Sequence, residues 1–148
     1  MSVRTQPCEA CPYRKDVASG VWAAEEYLKL PPYDAPTGEQ PPVPFLCHAT
    51  TDFYCHGWAV TGMSRGHAYE LLAIRLLEMF GRCAIAIPEP KVPLFESGLA
   101  AAEHGLKDIN RPKKKARKTQ ARLVKRYARL SVTDASSDLA GEEPTSVG

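Results

Sequence analysis

The sequence predicts a mainly α fold with irregular loops and at most short strands, as one small domain followed by a basic C-terminal helix. Three features predict it. Apolar residues recur at helical steps in two stretches, from Gly66 or His67 to Phe80 and from Asn110 to about Leu130. Thirteen prolines, among them Pro32, Pro36, Pro41, Pro42, Pro44, Pro88 and Pro90, break up the backbone between regular elements. Four of the five cysteines form two groups, Cys8 with Cys11 and Cys47 with Cys55, spaced as two halves of one metal site. A loop-rich domain of this size buries too little apolar area to fix its backbone by packing alone, so the predicted domain is metal-stabilised.

In chain order, residues 1–18 have no helical or strand period and hold the first cysteine pair in a turn stiffened by Pro7 and Pro12. A helix is expected over Val21 to Leu30, with Ser19 as its cap and Trp22, Tyr27 and Leu30 on one face. Pro31 and Pro32 stop it. Residues 33–44 have turn chemistry and bring Cys47 back toward the first pair. Val43 to Cys47 reads as a short extended segment, and Asp52 to Val60 as a strand or turn around Cys55. The helix ending at Phe80 has Gly81 as its stop. Ala84 to Ile87 reads as a short strand, Pro88, Pro90 and Pro93 as an extended link, and Ser97 to His104 as a helix stopped by Gly105. Asn110 and Pro112 open the last helix, with Ala116, Leu123, Val124, Tyr127 and Leu130 at steps of three, four and seven.

The net charge of +2 hides three blocks. Residues 1–106, the cysteine-site domain, carry 8 basic and 12 acidic side chains; residues 107–130, the basic amphipathic helix, carry 11 and 1; residues 131–148 carry 0 and 4. The last block is too polar to bury a core and is expected to be a disordered acidic tail. No apolar run approaches the ~20 residues of a membrane span, and the first twenty positions lack the layout of a secretory signal, so a cytoplasmic protein is expected. In that compartment C-x2-C thiols serve as ligands or redox centres more often than as disulfides.

Zn2+ takes four thiolates in a tetrahedron, and Cys8, Cys11, Cys47 and Cys55 supply them. His48 stands as a substitute for its neighbour or as a residue that orients a ligand. A [4Fe-4S] cluster uses the same four cysteines, and the seven-residue step between Cys47 and Cys55 together with Cys11-Pro12 and nearby aromatics suits it too; spacing does not separate the two. Cys83 reads as a buried small hydrophobe, and His67 and His104 as surface or capping residues. A dithiol redox enzyme would need an apolar strand before Cys8, which the sequence lacks. No nucleophile elbow, phosphate loop or paired-carboxylate arrangement is present, so a non-enzymatic role is favoured. Lys113, Lys114, Lys115, Arg117, Lys118, Arg122, Lys125, Arg126 and Arg129 fall opposite Leu123, Tyr127 and Leu130, and such a stripe suits the phosphates of a nucleic acid.

The run from Pro7 to Asp16, Ser19 to Tyr27, Phe45-Leu46-Cys47-His48, Cys55-His56-Gly57-Trp58, Pro93 to Gly98 and Glu103 to Leu106 resemble a family of small uncharacterised proteins from actinobacteria and their phages. The resemblance covers about residues 7 to 112. It implies a shared cysteine site with Cys8, Cys11, Cys47 and Cys55 as ligands and a phage or actinobacterial source, in which case the protein works in the host cytoplasm. It implies no activity. The expected function is that of a metal-binding regulator contacting nucleic acid; the alternatives are a module binding a host protein through Leu123, Tyr127 and Leu130, and an iron–sulfur redox sensor or enzyme.

Overall fold

In a computed structural model the described residues are 2–50, 52–63, 71–81 and 87–140, and among them the chain is mainly helical. Helices form where the sequence supplies a cap and also where tertiary packing replaces one. The strongest cap belongs to α4, Gly98–Leu106: Ser97 Oγ accepts from Ala100 N–H, while the Asp34 carboxylate accepts from Gly98 and Leu99 N–H at 2.8 and 2.7 Å. Gly105, expected as its stop, lies inside α4 instead, at a position where the Tyr27 ring occupies the space a side chain would fill.

The first helix, α1, is Ala24–Leu28. It is shorter than expected because Ala23 is extended and the Ser19 hydroxyl is used elsewhere, donating to Gly105 C=O at 3.1 Å and accepting from Asp108 N–H at 2.8 Å. Pro31–Asp34 follows as a 3-10 turn, and a second covers Thr37–Glu39. β1, Ser2–Val3, pairs in parallel with β2, Phe53–Tyr54. Directly after β2 comes α2, His56–Met63, where a strand or turn was expected through Val60. α3 covers Leu72–Met79, closing on Gly81 at φ +64 as the sequence suggests. The expected start of that helix and the expected strand from Ala84, with Cys83, lie outside the described residues.

The core is a set of edge-to-face rings, Tyr13 on Phe45, Phe45 on Tyr33 and Tyr33 on Trp58, with centroids 5.6 to 6.3 Å apart. Leu30, Leu71 and Ile74 surround them, fully buried. The four cysteines of the two pairs belong to this same cluster.

α5, Lys114–Ala140, is longer than the expected helix and runs into the acidic block predicted to be disordered. The reason is local: neither Gly nor Pro occurs between Pro112 and Gly141, so nothing terminates the backbone ladder earlier. Residues 141–148 of the predicted tail lie outside the described residues. A second apolar cluster seats α5, in which Ala116 and Leu123 meet Ala10, Val17 and Val21. Gln120 adds side-chain N–H bonds to Gly20 and Val21 C=O.

Candidate metal centre and basic helix

Local bonds shape the first pair. Cys11 N–H donates to Cys8 C=O and Arg14 N–H to Cys11 C=O, so the chain turns at each cysteine. Trp22 Nε1–H reaches the intervening Ala10 C=O at 2.8 Å, and Arg14, clamped on Asp16 at 2.6 and 2.7 Å, donates to Cys8 C=O. The second pair is set by a short antiparallel ladder: Cys47 N–H bonds Phe53 C=O, Cys55 N–H bonds Phe45 C=O, and Leu46 bridges Tyr54. Residues two apart share a face of such a ladder, so Cys47 and Cys55 are presented on one side.

All four cysteines are buried free thiols, and they meet. Cys47 and Cys8, and Cys8 and Cys11, each influence the other's ionisation, and Cys55 influences that of Cys11, which couples the two halves of the chain. Cys11 and Cys55 Sγ lie 3.8 Å apart. A disulfide needs ~2.05 Å, whereas four sulfurs at ~2.3 Å from one ion are separated by ~3.8 Å along each tetrahedral edge. Among the described residues no group of three or more His, Cys, Asp or Glu side chains is gathered into a metal-holding arrangement.

Each sulfur also faces backbone N–H groups: Ala10 for Cys8, Tyr13 for Cys11, Ala49 and Thr50 for Cys47, and Trp58, at 3.5 Å, for Cys55. Such donors stabilise a thiolate and give a neutral thiol little. They are outweighed. Its hydrogen bond with Cys11, reinforced by burial, pushes the Cys8 thiol up to about 11; neighbouring thiols and burial likewise raise Cys11 and Cys47. A site with thiolate-stabilising donors and mutually suppressed ionisation is one that a bound cation would complete, so the donor set fits Zn2+ or an iron–sulfur cluster.

His48 is held beside this site and not within the thiol series. Its Nε2 pairs with Glu26 at 2.9 Å and its ring packs on Trp22 and Phe45. Burial lowers its pKa against the opposing pull of Glu26. Burial would raise Glu26, but hydrogen bonds from Lys29 and His48 hold its carboxyl below the ordinary value. Glu26 was missed from the sequence because it serves through a contact with His48 that is distant in the chain. Gly57 was missed for the same reason: a Cβ there would sit 2.8 Å from Cys11 Sγ. Among the described residues, the buried polar side-chain atoms that lack a protein partner are His48 Nδ1, Thr50 Oγ1, His56 Nδ1 and Trp58 Nε1, all in the stretch that forms the second half of the site. His104, expected at the surface or as a capping residue, lies in the last turn of α4 and bonds Val17 C=O through Nε2 at 2.7 Å.

The basic residues divide by position. Lys114, Arg117, Lys118, Arg122, Lys125 and Arg129 are exposed, and five of these, all but Arg117, recur at steps of three and four along one face of α5. Lys113 lies 4.0 Å from Asp108, Lys115 donates to Asp16 C=O, and Arg126 pairs with Glu9 at 3.5 Å. Leu123 is buried within the domain, which removes it from the expected protein-binding face. Ala10 and Glu9, the two residues between the first cysteine pair, are thus among those that α5 contacts through Ala116, Leu123 and Arg126.

A model described as "Family of unknown function (DUF6283)" matches residues 3–125. The chain belongs to this family. The match extends past the expected limit at residue 112 and takes in all four thiols and the basic helix as far as Lys125. Arg126 and Arg129 fall beyond it. No curated protein and no solved structure matches the chain. Among the described residues no helix is long and apolar enough to cross a membrane.

Proposed function

We propose that this protein is a non-enzymatic regulator that binds one Zn2+ through Cys8, Cys11, Cys47 and Cys55 and contacts nucleic acid with the exposed cations of α5. One observation carries the reading. α5 lays Ala116 and Leu123 on Ala10, between Cys8 and Cys11, and turns its basic stripe outward, which supports reading the thiol cluster and the cationic surface as one unit. The polyanion is a nucleic acid because cations repeating at helical steps match a regular array of phosphates. The C-x2-C-P, Cys-His and Cys-x-Gly-Trp pattern, an actinobacterial or phage source and action in the host cytoplasm belong to the same reading.

Metal analysis of protein purified without oxygen, followed by binding to labelled DNA and RNA over a salt series, tests it. One zinc per chain and affinity falling steeply with salt are expected; binding that ignores salt removes the nucleic-acid role. The aromatic shell of Trp22, Phe45 and Trp58 around N–H-bonded thiols favours a second reading, a [4Fe-4S] redox centre. Brown protein with stoichiometric iron would select it, and colourless protein with zinc would reject it.

A further inference from the structure

Where α4 gives way to α5, the chain borders a cavity of about 470 Å3. That volume lies in the range of ~300–1,000 Å3 in which proteins hold small molecules. Four cations line it, Lys107, Arg111, Lys113 and Arg117, against the single carboxylate of Asp108, and Asn110 adds a side-chain amide. We propose that this cavity binds a phosphate group, free or carried as a monoester on a small molecule. The inference does not rest on the nucleic-acid reading above. Arg117 is the exposed cation left off the stripe of α5, and Lys107 and Arg111 precede that helix.

A basic loop that is merely solvated lets its side chains spread apart in water, and this one does not have that freedom. Lys107 N–H bonds His104 C=O, Ile109 N–H bonds Leu106 C=O and Arg111 N–H bonds Asp108 C=O, while Asp108 N–H is fixed to Ser19 Oγ at 2.8 Å. Arg117 is carried on the other side of the cavity by α5, where its N–H bonds Lys113 C=O. The cations held this way are also short of partners. Lys113 lies 4.0 Å from Asp108, and among the described residues the side chains of Lys107, Arg111 and Arg117 have no hydrogen bond or ion pair. Like charges gathered around one cavity repel and return nothing to the fold, whereas an anion set between them turns the repulsion into attraction. The excess of cations over Asp108 favours a group bearing about two negative charges over a carboxylate bearing one. Two planar guanidiniums, Arg111 and Arg117, suit the paired acceptor oxygens of phosphate.

The full metal-replete chain is titrated with inorganic phosphate, with adenosine monophosphate and with adenosine, at one ionic strength held by chloride, and followed by calorimetry and amide NMR shifts. Saturable binding of both phosphates is expected, with shifts centred on residues 107–117, and none with adenosine. A tighter monophosphate identifies a carried group as the occupant, and equal affinities identify the free anion. Arg111→Ala and Arg117→Ala should each weaken binding roughly tenfold, with unchanged melting temperatures. Lys91→Ala, which removes an equal charge at an exposed position elsewhere, should leave the affinity within about twofold. Absence of saturable phosphate binding, or a loss with Lys91→Ala as large as with Arg117→Ala, overturns the site. Neither result bears on whether the outward stripe of α5 binds nucleic acid.

Discussion

The thiol cluster and α5 both collect groups whose charged forms repel, and they handle that repulsion in opposite ways. The thiols are packed against one another in a buried site, where their ionisation is suppressed. The cations of α5 are spread along a helix in water, where each keeps its hydration and is screened from the next. The difference teaches what each region requires. Under the proposed reading, a cation would let the buried sulfurs ionise, whereas the exposed helix would gain from a polyanion by releasing counterions.

Removing the cation should break the comparison most severely. Cys11→Ser, or chelation of the metal, is expected to cost much of the ~10 kcal/mol or more that structural zinc contributes, and circular dichroism should report loss of cooperative unfolding at room temperature. Helix content retained with an unchanged melting transition would refute the metal-dependent fold. On the other side, joint reversal of Lys118, Arg122 and Lys125 to Glu should leave the melting temperature unmoved and weaken nucleic-acid binding on the order of a hundredfold at low salt, by anisotropy.

Acidity sharpens the contrast. In metal-stripped protein the Cys8 thiol is raised from 9.0 to about 11, so the folded state holds a proton that the unfolded chain releases first. The associated stability is present below pH 9 and lost as pH climbs toward 11. The metal-bound protein should behave the other way, losing its ion on acidification as thiolates are reprotonated. Denaturant midpoints across pH, with and without metal, distinguish the two slopes.

Crowding without a change of charge is the next test. Gly57→Ala places a methyl group against Cys11 Sγ and Tyr13, and a loss of about 1–3 kcal/mol is expected in urea unfolding. The smallest effect belongs to α5. Lys118→Ala, at an exposed position, should shift stability by no more than ~0.5 kcal/mol in the same measurement.

What could be read in advance follows from the range of the interactions. The cysteine pairs were legible because ligand spacing is a local signal, and α4 was legible because Ser97 and its following run are local too. α2 was not. Its sequence holds Gly57, Gly62 and β-branched residues, and it is helical because Cys55 Sγ takes the Trp58 N–H and the ring of Trp58 fills the core. Asp34 looked like a loop carboxylate, yet it caps a helix that begins 64 residues later. The seat of α5 on Ala10 was invisible for the same reason, since an alanine between two cysteines carries no periodicity of its own.

The turn holding the first cysteine pair has a further consequence during synthesis. Lys15 N–H bonds Pro93 C=O, Phe95 N–H bonds Tyr13 C=O, and Ser19 is bridged to Gly105 and Asp108. At roughly 5–20 residues per second, those partners leave the ribosome several seconds after Cys8 and Cys11 do. In that interval the nascent thiols stand uncovered, open to oxidants and, on the proposed reading, to whichever soft ion arrives first.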